Sequence, residues 1–217
     1  MSSLPTDDAV HAAARRLHDG LAAPGLGRAV EIYFTAPEFA GMTFSDLGCN
    51  PPGAITAEDL LAVTLLDISW RPEVVRILLG TGGQKLGRML AALPPDTDLW
   101  EAGEPAMRGI DELWDALTAI EGIGTASATK LLARKRPRLC PISDHTVIKA
   151  VAVPGRTWDV LRRLLREPGA RARIEELRPA AAARAPLLRI LDVALWVSYS
   201  ESNHAHWVRE QAGVSPP

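Results

Sequence analysis

Apolar residues in this chain recur three and four apart almost throughout, and that spacing most limits the folds open to it. In IDELWDALTAI the pattern places Leu113, Trp114, Leu117 and Ile120 on one stripe. Upstream, Thr56 and Asp59 are spaced like a helix-capping box and lead into Leu60, Leu61, Val63 and Leu65. Pro72 stands where a first-turn proline is tolerated, opening PEVVRILLG, which stops at Gly80. The same spacing predicts helices over 6–21, 84–93, 125–134, 144–152, 157–167, 170–177, 186–200 and 203–211. In GRAVEIYFTAPEF a strand competes with a helix, and RPAAAARAP is read as a connector or a frayed helix. There is no internal repeat. The expected fold class is all-α.

The chain has 217 residues, 47% of them hydrophobic, enough for one large domain or two small lobes with a core. Its net charge of −2 argues against a surface that coats nucleic acid everywhere, so any nucleic-acid site must be a local patch. Cys49 and Cys140 are the two cysteines, which excludes a four-cysteine zinc or iron–sulfur site within this chain. The start, MSSLPTDDAV, is acidic and polar rather than a leader, and no apolar run approaches the roughly 18 residues of a membrane span. These features predict a cytoplasmic protein that does not enter a membrane, and a monomer without cofactor or metal.

The segment IEGIGTASATKLLARKRPRLCPISDHTV, residues 120 to 147, carries the chemistry. Gly122 and Gly124 flank Ile123, so the backbone can turn sharply while the isoleucine anchors the turn. The second helix starts there, and its first N–H groups together with its dipole favour a phosphate, with Thr125 and Ser127 adding hydroxyls. Lys130, Arg134, Lys135, Arg136 and Arg138 follow, a local field suited to several phosphates. Each piece also has an ordinary reading: the glycines as a C-cap and tight turn, the charges as a solvated helix face, Asp144 as a helix N-cap. A second basic group, Arg162, Arg163, Arg166, Arg171 and Arg173, is interleaved with acids and reads as a solvated face.

This segment resembles the helix-hairpin-helix superfamily of DNA glycosylases, the group of endonuclease III and the 3-methyladenine glycosylases. Its Leu-Pro-Gly-(Val/Ile)-Gly hairpin is matched by Ile120-Glu121-Gly122-Ile123-Gly124, with Glu121 in place of the proline. The family's catalytic aspartate is matched by Asp144 in Ser143-Asp144-His145-Thr146-Val147, 20 residues after Gly124. The match covers residues 110 to 150. ASATKLLARKRPRL also looks like an uncharacterised actinobacterial family. The glycosylase resemblance implies a two-lobed helical fold with the active site in the interlobe cleft. One lobe would span 57–140 and end in the hairpin; the other, 1–56 plus 141–217, would carry Asp144.

It also implies an activity: hydrolysis of the N-glycosidic bond of a flipped-out base in double-stranded DNA, leaving an abasic site. Gly122, Ile123, Gly124, Thr125, Ser127, Lys130, Arg134, Lys135 and Arg136 would hold the DNA backbone. Asp144 would stabilise the positive charge that builds on the deoxyribose. Members that also cut the strand carry a lysine two residues after the second glycine; Ala126 stands there, which implies an enzyme without lyase activity, and Lys130 lies one turn further on. His145 and Thr146 are inverted relative to the family's usual order, so no role is carried over for that histidine. Tyr33 and Trp70 are candidates for the base pocket, and Phe34 and Trp100 are other aromatics from outside the hairpin. His204 and His206 do not share a helix face and read as surface residues. The base could be alkylated, deaminated or mismatched, or a hypermodified phage base such as glucosylated hydroxymethylcytosine, which would make the protein an antiviral one. A non-catalytic helix-hairpin-helix DNA-binding protein, and a structural helical protein, are the other readings.

Overall fold

The structure is a computed structural model, and it describes residues 6–153 and 157–214. Residues 1–5, part of the polar N-terminus, lie outside that range. The described residues form thirteen α-helices and one short 3-10 turn joined by loops, and among them there is no strand. The helices are α1 (Asp7–Gly20), α2 (Leu26–Thr35), α3 (Thr43–Asp46), α4 (Ala57–Thr64), α5 (Pro72–Leu79), α6 (Thr81–Ala92) and α7 (Glu104–Thr118). They continue as α8 (Thr125–Lys135), α9 (His145–Val151), α10 (Thr157–Arg166), α11 (Pro168–Glu176), α12 (Leu187–Tyr199) and α13 (Asn203–Ala212). No helix is long and apolar enough to cross a membrane among the described residues.

The chain divides into two compact units, Met1–Gly41 with Ser143–Pro217, and Met42–Ile142. In the first, α12 packs against α2, α9, α11 and α13, which is why it buries residues on all sides: Leu188, Ile190, Leu191, Val193, Ala194, Leu195 and Val197. Helix α2 settles the contest in GRAVEIYFTAPEF. Leu26, Ala29, Val30, Tyr33 and Phe34 are buried, an i, i+3, i+4, i+7, i+8 set that only a helix brings to one face. The alanine-rich RPAAAARAP forms only the turn Ala180–Ala182.

In the internal unit α8 packs against α4 and α7, and α6 packs against α5 and α7. The Thr56–Asp59 capping box forms as its spacing predicts: the Asp59 amide donates to the threonine Oγ1 at 3.3 Å, and the Thr56 amide donates to the Asp59 carboxylate at 3.0 Å. The boundary differs from the expected one. Residues 42–56 belong with the internal unit rather than with the N-terminal segment. Arg134 and Arg136 at the end of α8 hold this stretch by its backbone carbonyls and Lys135 by the Asn50 side chain, and no residue pattern within 42–56 announces such an anchor.

Candidate functional site

The hairpin between α7 and α8 is built by the two glycines and the isoleucine between them. Gly122 has φ +93, a conformation that an L side chain rarely adopts. Ile123 is buried, and its N–H donates to the Ile120 carbonyl at 3.0 Å, closing the turn. Ser127 caps the start of α8: its Oγ accepts from Gly124 N–H at 3.1 Å and donates to Gly124 O at 3.0 Å. The hydroxyl expected to face a phosphate therefore belongs to the turn itself, and Ser127 is buried. Gly122 and Gly124 are exposed and Thr125 is half-buried, so the turn presents backbone rather than side chains to its surroundings. The first i, i−4 bond of α8 is Ala128 N–H to Gly124 O, at 3.0 Å. The amides of residues 125–127 precede it, at the positive end of the helix dipole.

The basic run does not extend this surface. Arg134, Lys135 and Arg136 are 2%, 4% and 1% exposed, which removes them from any phosphate-binding face and corrects the expectation drawn from their charges. Arg134 Nε meets Asp59 Oδ1 at 3.2 Å, and its Nη1 donates to Phe44 O at 2.9 Å and also to Ser45 O, while Nη2 donates to Leu47 O. Lys135 Nζ donates to Asp59 Oδ2 at 2.7 Å and to Asn50 Oδ1. Burial pulls the Lys135 pKa below its ordinary value, although Asp59 works against that. Arg136 donates to Pro52 O at 2.9 Å, to Lys135 O at 2.8 Å, and to the Leu90 and Leu93 carbonyls near the end of α6. One carboxylate and a set of carbonyls thus solvate three buried cations. The physical cause is the end of α8 in the unit's interior, where cations taken out of water need acceptors in its place.

Two members of the run differ. Lys130 is half-buried with Nζ on Leu66 O at 2.9 Å. Arg138 is exposed and bonds Asp98 at 2.9 Å through Nε, a carboxylate that raises its pKa further. The cation beside the turn is instead Arg71, just ahead of α5. A Cβ added to Gly122 would stand 3.0 Å from Arg71 Cδ. Its side chain is 56% exposed and its Nη1 lies 3.5 Å from Glu121, the residue that departs from the family's proline. Sequence reading missed Arg71 because it lies about 50 residues upstream of the hairpin, with no spacing signal linking the two.

Asp144 lies in the other unit, one residue after that unit's second segment begins. It is the N-cap of α9, with Oδ1 accepting from Val147 N–H at 3.1 Å, and it is half-buried. The preceding Ser143 is buried and its hydroxyl accepts from Thr157. The capping role read from the sequence is therefore present. The aromatic candidates part company. Tyr33 is 7% exposed, stacked on Phe39 at 5.2 Å between centroids and edge-on to Phe34 and Trp196, and its hydroxyl accepts from Arg189 at 2.8 Å. It is a core residue of its unit, not an open pocket wall. Trp70 is half-buried in the internal unit and donates from Nε1 to Leu60 O at 2.9 Å. His204 and His206 are exposed on α13.

Fold and site together define an all-α chain in which an internal unit containing a glycine hairpin interrupts a second unit that resumes one residue before a helix-capping aspartate. More particularly, the chain belongs to a family of unknown function, DUF6308, whose model matches residues 27–199. No curated protein and no solved structure matches it.

Proposed function

We propose that the protein is a monofunctional DNA glycosylase acting on a damaged or modified base in double-stranded DNA. One observation carries the reading: the internal unit ends shortly after a hairpin helix, and the chain then passes directly into the other unit at Asp144, which heads α9. Hairpin first and carboxylate 20 residues later is the order that the glycosylase resemblance requires. In the reaction the C1′–N bond breaks, water supplies the oxygen that bonds C1′, and the departing base takes up a proton. Asp144 stabilises the positive charge on the sugar and orients the water. Ala126 offers no amine for a Schiff base, and the Lys130 ammonium is engaged by Leu66 O, so water is the nucleophile. The turn holds the DNA backbone through the amides at the start of α8, assisted by Arg71 in place of the buried run.

The capping bond to Val147 favours a second reading, a DNA-binding protein without catalysis, because it gives Asp144 a sufficient structural reason to be there. Incubation with normal, alkylated, deaminated, mismatched and glucosylated-hydroxymethylcytosine DNA, with released bases measured by mass spectrometry, separates the two. The glycosylase reading expects a free base and an abasic site from at least one modified substrate. Salt-sensitive DNA binding with no base released from any of them leaves the binding protein.

A further inference from the structure

In the unit formed by the two chain ends, α1, α9 and α12 finish around one open cavity of about 540 Å³. Arg16 and Gly20 from α1, Lys149 from α9 and Tyr199 from α12 line it, with Asp19 at its edge. The cavity sits at the C-terminal end of α9, the opposite end from Asp144; seven residues of helix rise about 10 Å, so the two places are separate. Arg16 is anchored through one guanidinium nitrogen, Nη2 donating to Val151 O at 3.0 Å. Tyr199 points its hydroxyl at the one position in the last turn of α1 without a side chain: a Cβ on Gly20 would lie 3.0 Å from Oη. No hydrogen bond to that hydroxyl forms among the described residues. Burial raises its pKa while Arg16 works the other way, so at neutral pH it is a protonated donor. Lys149 is shared with Glu201 at the rim.

We propose that this cavity binds the phosphate group of a nucleotide. A guanidinium anchored at one nitrogen, a phenolic hydroxyl and an ammonium line the cavity from three helices, which suits a tetrahedral oxyanion. Phosphate alone would leave most of the volume empty, whereas 300–1,000 Å³ is the range for sites that take a small organic molecule. Ala23, Ala150 and Ala152 give the cavity an apolar lining, and the Asp19 carboxylate can accept from a sugar hydroxyl or a base amino group. The proposal does not depend on the glycosylase reading.

Titration calorimetry on the full chain tests it, with deoxycytidine monophosphate, deoxycytidine, inorganic phosphate, and a short single strand with and without a 5′-phosphate. The mononucleotide or the 5′-phosphorylated strand binds at least about tenfold more tightly than its unphosphorylated counterpart. Which of the two binds tells a free nucleotide from a strand end. Arg16→Met weakens binding about tenfold and Tyr199→Phe by several-fold, with the melting temperature of Tyr199→Phe unchanged. Equal affinity for the phosphorylated and unphosphorylated forms, no binding of any probe, or binding unaffected in both variants overturns the proposal. Asp144→Asn binds the mononucleotide as wild type does, so failure of the catalytic reading is read separately.

Discussion

The turn at Gly122–Gly124 and the cations at Arg134–Arg136 stand about ten residues apart on one helix and do opposite things with polar groups. At the turn the backbone is exposed and the nearest cation, Arg71, is more than half exposed, offset by a glutamate at 3.5 Å. At the far end of α8 the charged groups are interior, and each is met by carbonyls or by Asp59. The first arrangement costs little to form and leaves donors available to a partner. The second is a structural anchor: desolvating three cations is expensive, and the unit offsets that cost only by satisfying them. Positive charge along a helix therefore says little about a nucleic-acid face until the direction of each side chain is known.

The largest expected effect breaks the anchor. Asp59→Ala leaves Arg134 and Lys135 without their counter-ion and removes half of the α4 capping box. A loss of about 3–5 kcal/mol is expected in denaturant unfolding. A loss under 1 kcal/mol would mean that the cations are not buried as described. Next, Gly122→Val forces a β-branched residue to φ +93 beside Arg71 and should cost about 1–3 kcal/mol while weakening DNA binding. Arg71→Ala should leave the melting temperature unchanged but weaken DNA binding and lower the slope of log K against log salt by about 1. If Arg71→Ala binds DNA with an unchanged slope, Arg71 makes no phosphate contact.

The smallest effect concerns Cys140, just beyond the anchor. Burial raises its thiol pKa from 9.0 to about 12, so the folded state holds the proton that the unfolded state loses first. That contribution to stability is complete below pH 9 and is lost as pH rises from 9 towards 12. Cys140→Ala should lose less stability over that window than wild type. In the native protein at pH 8 a thiol reagent should modify the exposed Cys49 at once and Cys140 only as the chain unfolds.

Local signals made much of the fold readable. The Thr56–Asp59 box, Pro72 at the start of α5 and Asp144 ahead of α9 each act within a few residues, and each forms as its spacing predicts. Helix α3 was not foreseen, since four residues carry too little periodicity to register. At the candidate site the glycine turn was legible because φ and helix capping are local properties. The burial of Arg134, Lys135 and Arg136 was not, because their acceptors at Phe44, Leu47, Pro52, Asp59, Leu90 and Leu93 come from 43 to 90 residues away. Asp59 shows the limit well: its spacing reveals the cap and nothing of its role as counter-ion. Tyr33 fails for the same reason, its partner Arg189 lying 156 residues on.

The most direct test replaces Asp144 with asparagine. Asparagine caps a helix about as well as aspartate, so Asp144→Asn keeps the bond to Val147 and removes only the negative charge, whereas Asp144→Ala also costs about 1 kcal/mol of stability. On a modified DNA from which the wild type releases a base, Asp144→Asn is expected to fold and bind DNA as the wild type does and to form no abasic sites. Base release by Asp144→Asn at the wild-type rate would show that this aspartate is a helix cap and nothing more.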